Sequence, residues 1–413
     1  MKLRYRLSII VIAVLAVIVA SISVVLLGRA SSTQMATALK SQERLAAEQA
    51  RIIQMRYETY LRIAHTLADA LEDYDEAEVG RQRSRFDQFM KSILGSEERL
   101  VGIFAVFKPN TLDLGMDAVY AGTPGNTGAG QWANWYTRRT GQIEHLTYDD
   151  VAGQMAIING PDARKEVIDD PVLQNVAGQD TYVLKLTVPV ISNKTGEVVG
   201  RVGVNINTSY TQPVVDETIR TNADITAMTI YSDNSTIVAS YAVEQIGKLL
   251  RDAHLPLFGD DTGAAQNAVT RGEKQRFAEY SNVLKQDLEI IIYPFTIGET
   301  GVHWALMLGT GRALILADIR AMTIFTIIIA AAAIIIAAAI IFFVSVSITK
   351  PIVNVALTLK DISEGEGDLT KTVNRNSKDE IGDLARYFNA TLEKIRKLIV
   401  TIKQQAFALL DIG

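Results

Sequence analysis

Two long apolar stretches without a single charge, residues 7–28 and 321–349, bracket a long mixed middle of the chain. At about 1.5 Å per residue, a helix of either length crosses a hydrocarbon layer about 30 Å thick. Between them the pattern changes once. Residues 32–75 contain no Pro or Gly, and Leu45, Ile52, Met55, Ile63, Leu67 and Ala70 recur at separations built from three and four. That spacing predicts one long helix continuing from the first span as a stalk, with Gln49 and Thr59 interrupting its apolar stripe. Two helices broken near Tyr57 and Tyr60 are the alternative. Beyond it, 101–107, 182–190 and 198–206 read as strands, with a turn at Asn193-Lys194-Thr195-Gly196. The design recurs in 226–231 and 236–240 around Ser232-Asp233-Asn234, then in 276–280, 289–295 and 303–308. Val188-Pro189-Val190 before one turn matches Tyr293-Pro294-Phe295 before Gly298-Glu299-Thr300-Gly301. Two related mixed α/β lobes on one stalk are expected, chance likeness of two hairpins being the alternative.

The helical period returns after the second span. Lys350-Pro351 suits a new helix start, and Ile352, Val355, Leu359 and Ile362 follow at steps of three and four. Gly365-Glu366-Gly367-Asp368 breaks the pattern, and Leu369 and Val373 punctuate a polar connector. Ile381, Ala385, Phe388, Leu392, Ile395, Ile399, Ile402, Ala406 and Leu409 then form a heptad seam. One helix cannot bury such a seam alone, so a homodimeric coiled coil is expected.

Composition adds exclusions. The 413 residues suggest two or three domains, and a net charge of -5 gives no basic face for nucleic acid. With no cysteine, disulfides, iron–sulfur clusters and thiolate zinc sites are excluded. Lys2, Arg4 and Arg6 precede the first span, and Lys350 and Lys360 follow the second, which places both ends in the cytoplasm and the middle outside. Arg29, Arg312 and Arg320 oppose this bias. The first span reads as an uncleaved anchor, since it exceeds a signal-peptide core in length. The Ala- and Ile-rich second span suits either close helix packing or lipid contact.

No catalytic constellation emerges, and no enzyme activity, metal or cofactor is expected. His65, His145, His254 and His303 lack ligand spacing. The acidic doublets Asp149-Asp150, Asp169-Asp170 and Asp260-Asp261 read as solvated loop residues. The stretch 131–149 stands out, gathering Trp132, Trp135, Tyr136, Arg138, Arg139, His145 and Tyr148. Aromatic walls can enclose an amine, and an Arg can fork onto a carboxylate. Trp132 reads as a core plug, and Trp135 and Tyr136 as either core or pocket residues.

A resemblance then enters. Phe107-Lys108-Pro109-Asn110, Trp135-Tyr136 with Gly141-x-Ile143, Tyr148-Asp149, Asp170-Pro171, Val188-Pro189-Val190 and Gly200-x-x-Gly203-Val204-Asn205-Ile206 resemble, in order and spacing, the distal half of a double-Cache sensor domain. Pro351, the connector and Asp379-Glu380-Ile381-Gly382 are similar to a HAMP domain, and 401–413 to the start of a chemoreceptor signalling helix. The chain thus resembles a methyl-accepting chemotaxis protein lacking most of its cytoplasmic signalling domain, and a fragment of a longer protein is expected. The resemblance implies a membrane protein of α+β class: two transmembrane helices, a long extracytoplasmic stalk helix with two PAS-like lobes, and a cytoplasmic HAMP parallel helical bundle.

The implied divisions are a cytoplasmic N-terminus at 1–7, spans at 8–28 and 321–346, a ligand-binding domain at 32–312, HAMP at 347–400 and a signalling-helix start at 401–413. The distal lobe covers about 76–212 and the proximal lobe about 213–310. The implied ligand is a small metabolite, amino-acid-like, held by Trp135, Tyr136, Arg138, Tyr148, Asp170, Lys185 and Asn205. Pro351, Leu369, Val373, Glu380 and Ile381 would carry HAMP signalling. Membrane, a homodimer partner and a small ligand are implied, with a histidine kinase and adaptor only where a signalling domain follows. The input half of a sensor histidine kinase or diguanylate cyclase is the alternative. Ala133 stands where many members have Arg, Asn205 where an acid is usual, Val172 where Tyr is common and Lys185 where Thr is common.

Overall fold

The computed structural model describes residues 3–74, 80–364, 369–370, 372–373 and 380–410. Its contacts divide into two compact units, Thr33–Ala317, and Met1–Ser32 together with Asp318–Gly413. Helix α1, Leu3–Glu72, runs without a break through Tyr57 and Tyr60. Among the described residues it is one of two helices long and apolar enough to cross a membrane.

The buried face of α1 differs from the expected one. Ala46, Ala50, Ile53, Tyr57, Tyr60, Ala64, Leu67 and Leu71 are buried, at alternating steps of four and three. Ile52, Met55 and Ala70 are exposed, and Leu45 and Ile63 lie at the margin. Of the predicted stripe only Leu67 sits at its centre. The reason is that small residues carry this face: alanine lets a sheet approach the helix closely, and a hydrophobicity count underweights it. The tyrosines add ring area and keep their hydroxyls satisfied, as Tyr57 Oη does at 2.8 Å from Thr211 Oγ1.

Helix α2 (Gln82–Ser96) leads into strands β1 (Leu100–Phe107), β2 (Ala133–Thr137) and β3 (Glu144–Thr147). Helix α3 (Val151–Ile158), β4 (Val167–Ile168), β5 (Val172–Val176), β6 (Gln179–Ile191) and β7 (Val198–Asn207) follow. They form one antiparallel sheet in the order β3-β2-β1-β7-β6-β4, with β5 also paired to β6. Helix α4 (Gln212–Thr221) then joins β8 (Ile225–Tyr231), β9 (Ile237–Ser240), α5 (Leu250–Phe258), α6 (Thr262–Thr270), β10 (Gln275–Ser281), β11 (Gln286–Thr296) and β12 (His303–Gly311). The second sheet has the order β10-β11-β12-β8-β9. The path β2-β1-β7-β6 in one sheet thus matches β9-β8-β12-β11 in the other. Pro189 and Pro294 occupy equivalent strands before equivalent turns, so the faint sequence repeat is a topological one.

Each strand divides its side chains between two faces. Ile103, Ala105, Leu184, Leu186, Val202 and Val204 of the first sheet, with Met228, Ile230, Leu306 and Leu308 of the second, share one core with α1. The opposite face of the second sheet is filled: Ala227, Tyr231, Ile292 and Met307 pack under Leu250, Leu257, Phe258 and Val269 of α5 and α6. There His254 lies 2.6 Å from Tyr231 Oη and 2.7 Å from Gln245 Oε1, and burial holds its pKa down to about 4. The opposite face of the first sheet carries only a small cluster, Phe104, Val106, Ala133, Trp135 and Tyr148, against Val151 and Met155 of α3.

After the short α7 (Arg312–Ile315), α8 spans Ala317–Glu364 and α9 spans Glu380–Leu410. Pro351 lies inside α8 rather than starting a helix. Proline removes one backbone donor, and a long helix can absorb that loss without ending. Val355, Val373 and Ala385 are buried together, with Phe388 against them. Asn389 clamps the connector: its Oδ1 accepts from Val373 N and its Nδ2 donates to Val373 O, each at 2.9 Å. Leu369 and Ile381 are half-buried and Glu380 is exposed. Gly365-Glu366-Gly367-Asp368, Asp379 and Asp75 lie outside the described residues.

One half-buried carboxylate gives a pH test. Asp87 accepts from Trp132 and Asn134, yet burial raises its pKa from 3.8 to about 6. A folded-state pKa above the unfolded one makes its contribution greatest at low pH, and that contribution fades as pH rises from about 4 through about 6. The loss is at most about 1.4 kcal/mol per pH unit. The melting temperature, read by fluorescence of the chain's three Trp residues, should therefore fall less across this window in Asp87→Asn than in the native chain.

Candidate ligand-binding site

A cavity of about 300 Å³ opens on the outer face of the first sheet. Strand alternation selects its floor. Lys185 on β6 pairs with Asn205 on β7, which pairs with Gly102 on β1. In the next row Phe104 pairs with Gly203 on one side and Trp135 on the other. The glycines make room for rings: a Cβ on Gly203 would come within 2.4 Å of Phe104, and one on Gly102 within 2.8 Å of Trp135 Nε1. Phe104 stacks on Tyr148 at 3.9 Å between centroids, and Trp135 meets Tyr148 edge-on at 5.8 Å.

Trp135, Tyr148, Asp170, Lys185 and Asn205 all line this cavity. Tyr136 and Arg138, expected beside them, do not. Tyr136 follows Trp135 on the same strand and must point the other way; it joins the α1 core and stacks on His145 at 4.5 Å. Arg138 donates instead to Leu94 O. The neighbouring Arg139 takes its place at the cavity, with its guanidinium 5.5 Å over the Trp135 ring. Trp132 is core, packed on Phe107 and Phe86.

Two of the three acidic doublets supply the walls: Asp149 and Asp150 are exposed, as expected of solvated loop residues, whereas Asp169 and Asp170 are half-buried. Asp149 and Asp150 precede α3, where Asp150 caps the helix by accepting from Gly153 N at 3.1 Å. Asp169 and Asp170 follow β4. Lys185 Nζ lies 2.7 Å from Asp169 and 3.4 Å from Asp150, so it ties the two doublets across the cavity. Burial, reinforced by Asp150, Asp149 and Asp169, holds the Tyr148 phenol far above its ordinary pKa, so it stays protonated. Two polar atoms in the lining, Trp135 Nε1 and Asn205 Oδ1, are buried and have no hydrogen-bond partner among the described residues. Such groups cost about 1–3 kcal/mol each when left unsatisfied, which favours any ligand that pairs them.

The segment bearing Asp169 and Asp170 is held at both ends. Buried Arg201 donates to Ala163 O at 3.0 Å and Lys165 O at 2.8 Å. Glu166 then touches the stalk and the second lobe at once: His65 Nε2 lies 2.6 Å from its Oε1, and Glu299 N donates to its Oε2 at 2.6 Å. Asp170 Oδ1 accepts from Asn234 N, in the β8–β9 turn, at 3.4 Å. A cavity wall is thereby wired to two turns of the second sheet. Sequence spacing gave no sign of this, although two acidic doublets bracketing a short helix was a signal available to find them.

Comparison with known proteins agrees with this architecture. A HAMP domain model matches residues 343–397. The methyl-accepting chemotaxis protein TlpQ of Pseudomonas aeruginosa is 22% identical over 342 residues, which is 76% of this chain and 46% of TlpQ. The chain thus spans about half the length of that curated relative. Among solved structures, the extracellular domain of mmHK1S-Z2, described as a histidine kinase, superposes with a TM-score of 0.57 at 18% identity, covering 68% of this chain and 99% of that one. The periplasmic sensory domain of the Campylobacter jejuni chemoreceptor Tlp1 gives 0.50 at 13% identity, covering 66% and 94%. The chain's homologues are methyl-accepting chemotaxis proteins, it carries a HAMP domain, and its Thr33–Ala317 unit has the fold of chemoreceptor sensor domains.

The glycine floor is testable. A methyl at Gly102 meets Trp135 Nε1 at 2.8 Å and the immovable Tyr136 O at 3.1 Å. Gly102→Ala should cost about 1–3 kcal/mol of stability by overpacking. Adding Trp135→Phe should restore part of that loss in thermal denaturation; no restoration would mean that the indole is not the obstructing group.

Proposed function

We propose that this chain is the sensing and HAMP portion of a transmembrane chemoreceptor, taking a small amine-bearing metabolite into the distal cavity. Asn205 Oδ1 carries the reading: a buried acceptor without a donor, in a lining of carboxylates and aromatic rings on a sensor fold. An ammonium supplies N–H donors to it and cation–π contact to Trp135 and Tyr148. The equivalent face of the second sheet is filled by α5 and α6, which favours the distal lobe as the sensing one.

Ligand drawn toward Asp170 competes with Asn234 N and shifts the segment that Glu166 anchors to the stalk and to the β11–β12 turn. Binding thereby biases the lobes only as far as the ligand prefers one arrangement over another. The second span passes the bias to HAMP, where the Asn389 clamp and the Val355–Val373–Ala385 contact offer a packing that can change. The receptor lies in the inner membrane as a homodimer with its sensor outside. Ile395, Ile399 and Ile402 are exposed in one chain, as a seam awaiting a second copy would be. Kinase or cyclase inputs share this architecture, and sequence homology to chemotaxis proteins favours the receptor.

Two measurements follow. In the membrane-embedded chain, Trp135→Ala should abolish the thermal shift produced by an amine ligand, and Tyr136→Phe should leave it intact, because the two side chains lie on opposite faces. Retained binding in Trp135→Ala would refute the site. Because the chain has no native cysteine, single-cysteine crosslinking is clean. Ile399→Cys should form disulfide-linked dimers readily and Lys397→Cys slowly, with Glu166→Ala removing the ligand-dependent change in rate and sparing ligand affinity.

A further inference from the structure

The charge of the cavity narrows its ligand beyond an amine-bearing metabolite. We propose that it takes a small organic dication, of the diamine type and without a carboxylate. This rests on the reading of the distal cavity as the sensing site. Four carboxylates, Asp149, Asp150, Asp169 and Asp170, face two cations, Arg139 and Lys185.

Both cations are already engaged. Lys185 bridges Asp169 and Asp150, at 2.7 and 3.4 Å. Arg139 Nη1 lies 3.8 Å from Asp149, and its guanidinium covers the Trp135 ring. Asp170 has no cation partner among the described residues and accepts only from Asn234 N. An amino acid's carboxylate would have to displace an aspartate from one of these cations, and would then sit in a net negative lining. A dication instead neutralises the excess. The orphaned acceptor Asn205 Oδ1 agrees with this, since it needs a donor. The orphaned donor, Trp135 Nε1, is neutral and lies against the Gly102 backbone, so it offers a carboxylate no countercharge.

A bare metal ion fits poorly. Among the described residues no three His, Asp or Glu side chains are grouped closely enough to hold one. Asp169 and Asp150 share Lys185, Asp149 sits by Arg139, and Asp170 stands apart without a cation among the described residues, which leaves a carboxylate for each of two ammonium ends. Charge-assisted hydrogen bonds at each end would then be the main recognition.

The test is titration calorimetry on the full chain in nanodiscs with four matched probes: 1,4-diaminobutane, 1-aminobutane, 4-aminobutanoate and L-alanine. The diamine should bind tightest, and both carboxylate-bearing probes at least about tenfold more weakly, the equivalent of one charge-assisted hydrogen bond. Asp170→Asn and Asn205→Ala should each weaken diamine binding about tenfold, with melting temperatures confirming that both variants fold. If 4-aminobutanoate or L-alanine binds as tightly as the diamine, and Trp135→Ala abolishes that binding, the dication is overturned and the sensing site stands. If none of the probes binds, or Trp135→Ala leaves binding unchanged, both fall.

Discussion

The Thr33–Ala317 unit depends on one packing relation: two antiparallel sheets share a single helix. The alternating face of each sheet that meets α1 is committed to that core, through Ala46, Ala50, Ile53, Tyr57, Ala64, Leu67 and Leu71. Small alanines set the closeness of approach, and tyrosines fill the width between. With one face of every strand spent, chemistry is confined to the other. In the second lobe that other face is filled with α5 and α6. In the first it is half open, and that difference between two topologically equivalent lobes creates the site.

The same relation ties the cavity wall to the rest of the unit. A cavity on an isolated sheet could bind without consequence. Here the wall segment carrying Asp169 and Asp170 follows Arg201-held backbone, and Glu166 within it joins stalk and second lobe through hydrogen bonds of 2.6 Å. A local change in the wall is therefore felt by elements that share the α1 core. Such contacts are electrostatic and few, so they can exchange partners without breaking the apolar packing beneath.

Periodicity made most of the scaffold legible. The spans, the stalk, eight strands and the two-lobe repeat follow from steps of two, three and four, because burial of one face imposes those steps wherever the element sits. The stalk's buried face was misplaced by the same logic, since Ile52 and Met55 look more apolar than Ala50 and Ala64 yet are exposed. Pro351 looked like a helix start because its local preference is strong, and the long helix around it overrides that preference. At the site, aromatic density pointed to Trp135 and Tyr148, and family resemblance to Asp170, Lys185 and Asn205. Adjacent residues on a strand face opposite ways, which is why Tyr136 left the cavity; Arg138 and Arg139 lie beyond the end of β2, where Arg139 reaches the cavity and Arg138 donates to Leu94 O.

By itself the sequence determined the elements, their order, and the residue types from which a sensor could be built, since these depend on local periodicity and composition. Tertiary structure alone decided which charges meet. Asp149-Asp150 and Asp169-Asp170 are separate in the chain and bland in isolation, and only the packing of the loops before α3 and after β4 over the sheet brings Asp150 and Asp169 to one lysine. Net charge at a site is a sum over residues that folding makes neighbours, and no spacing rule along the chain contains that sum.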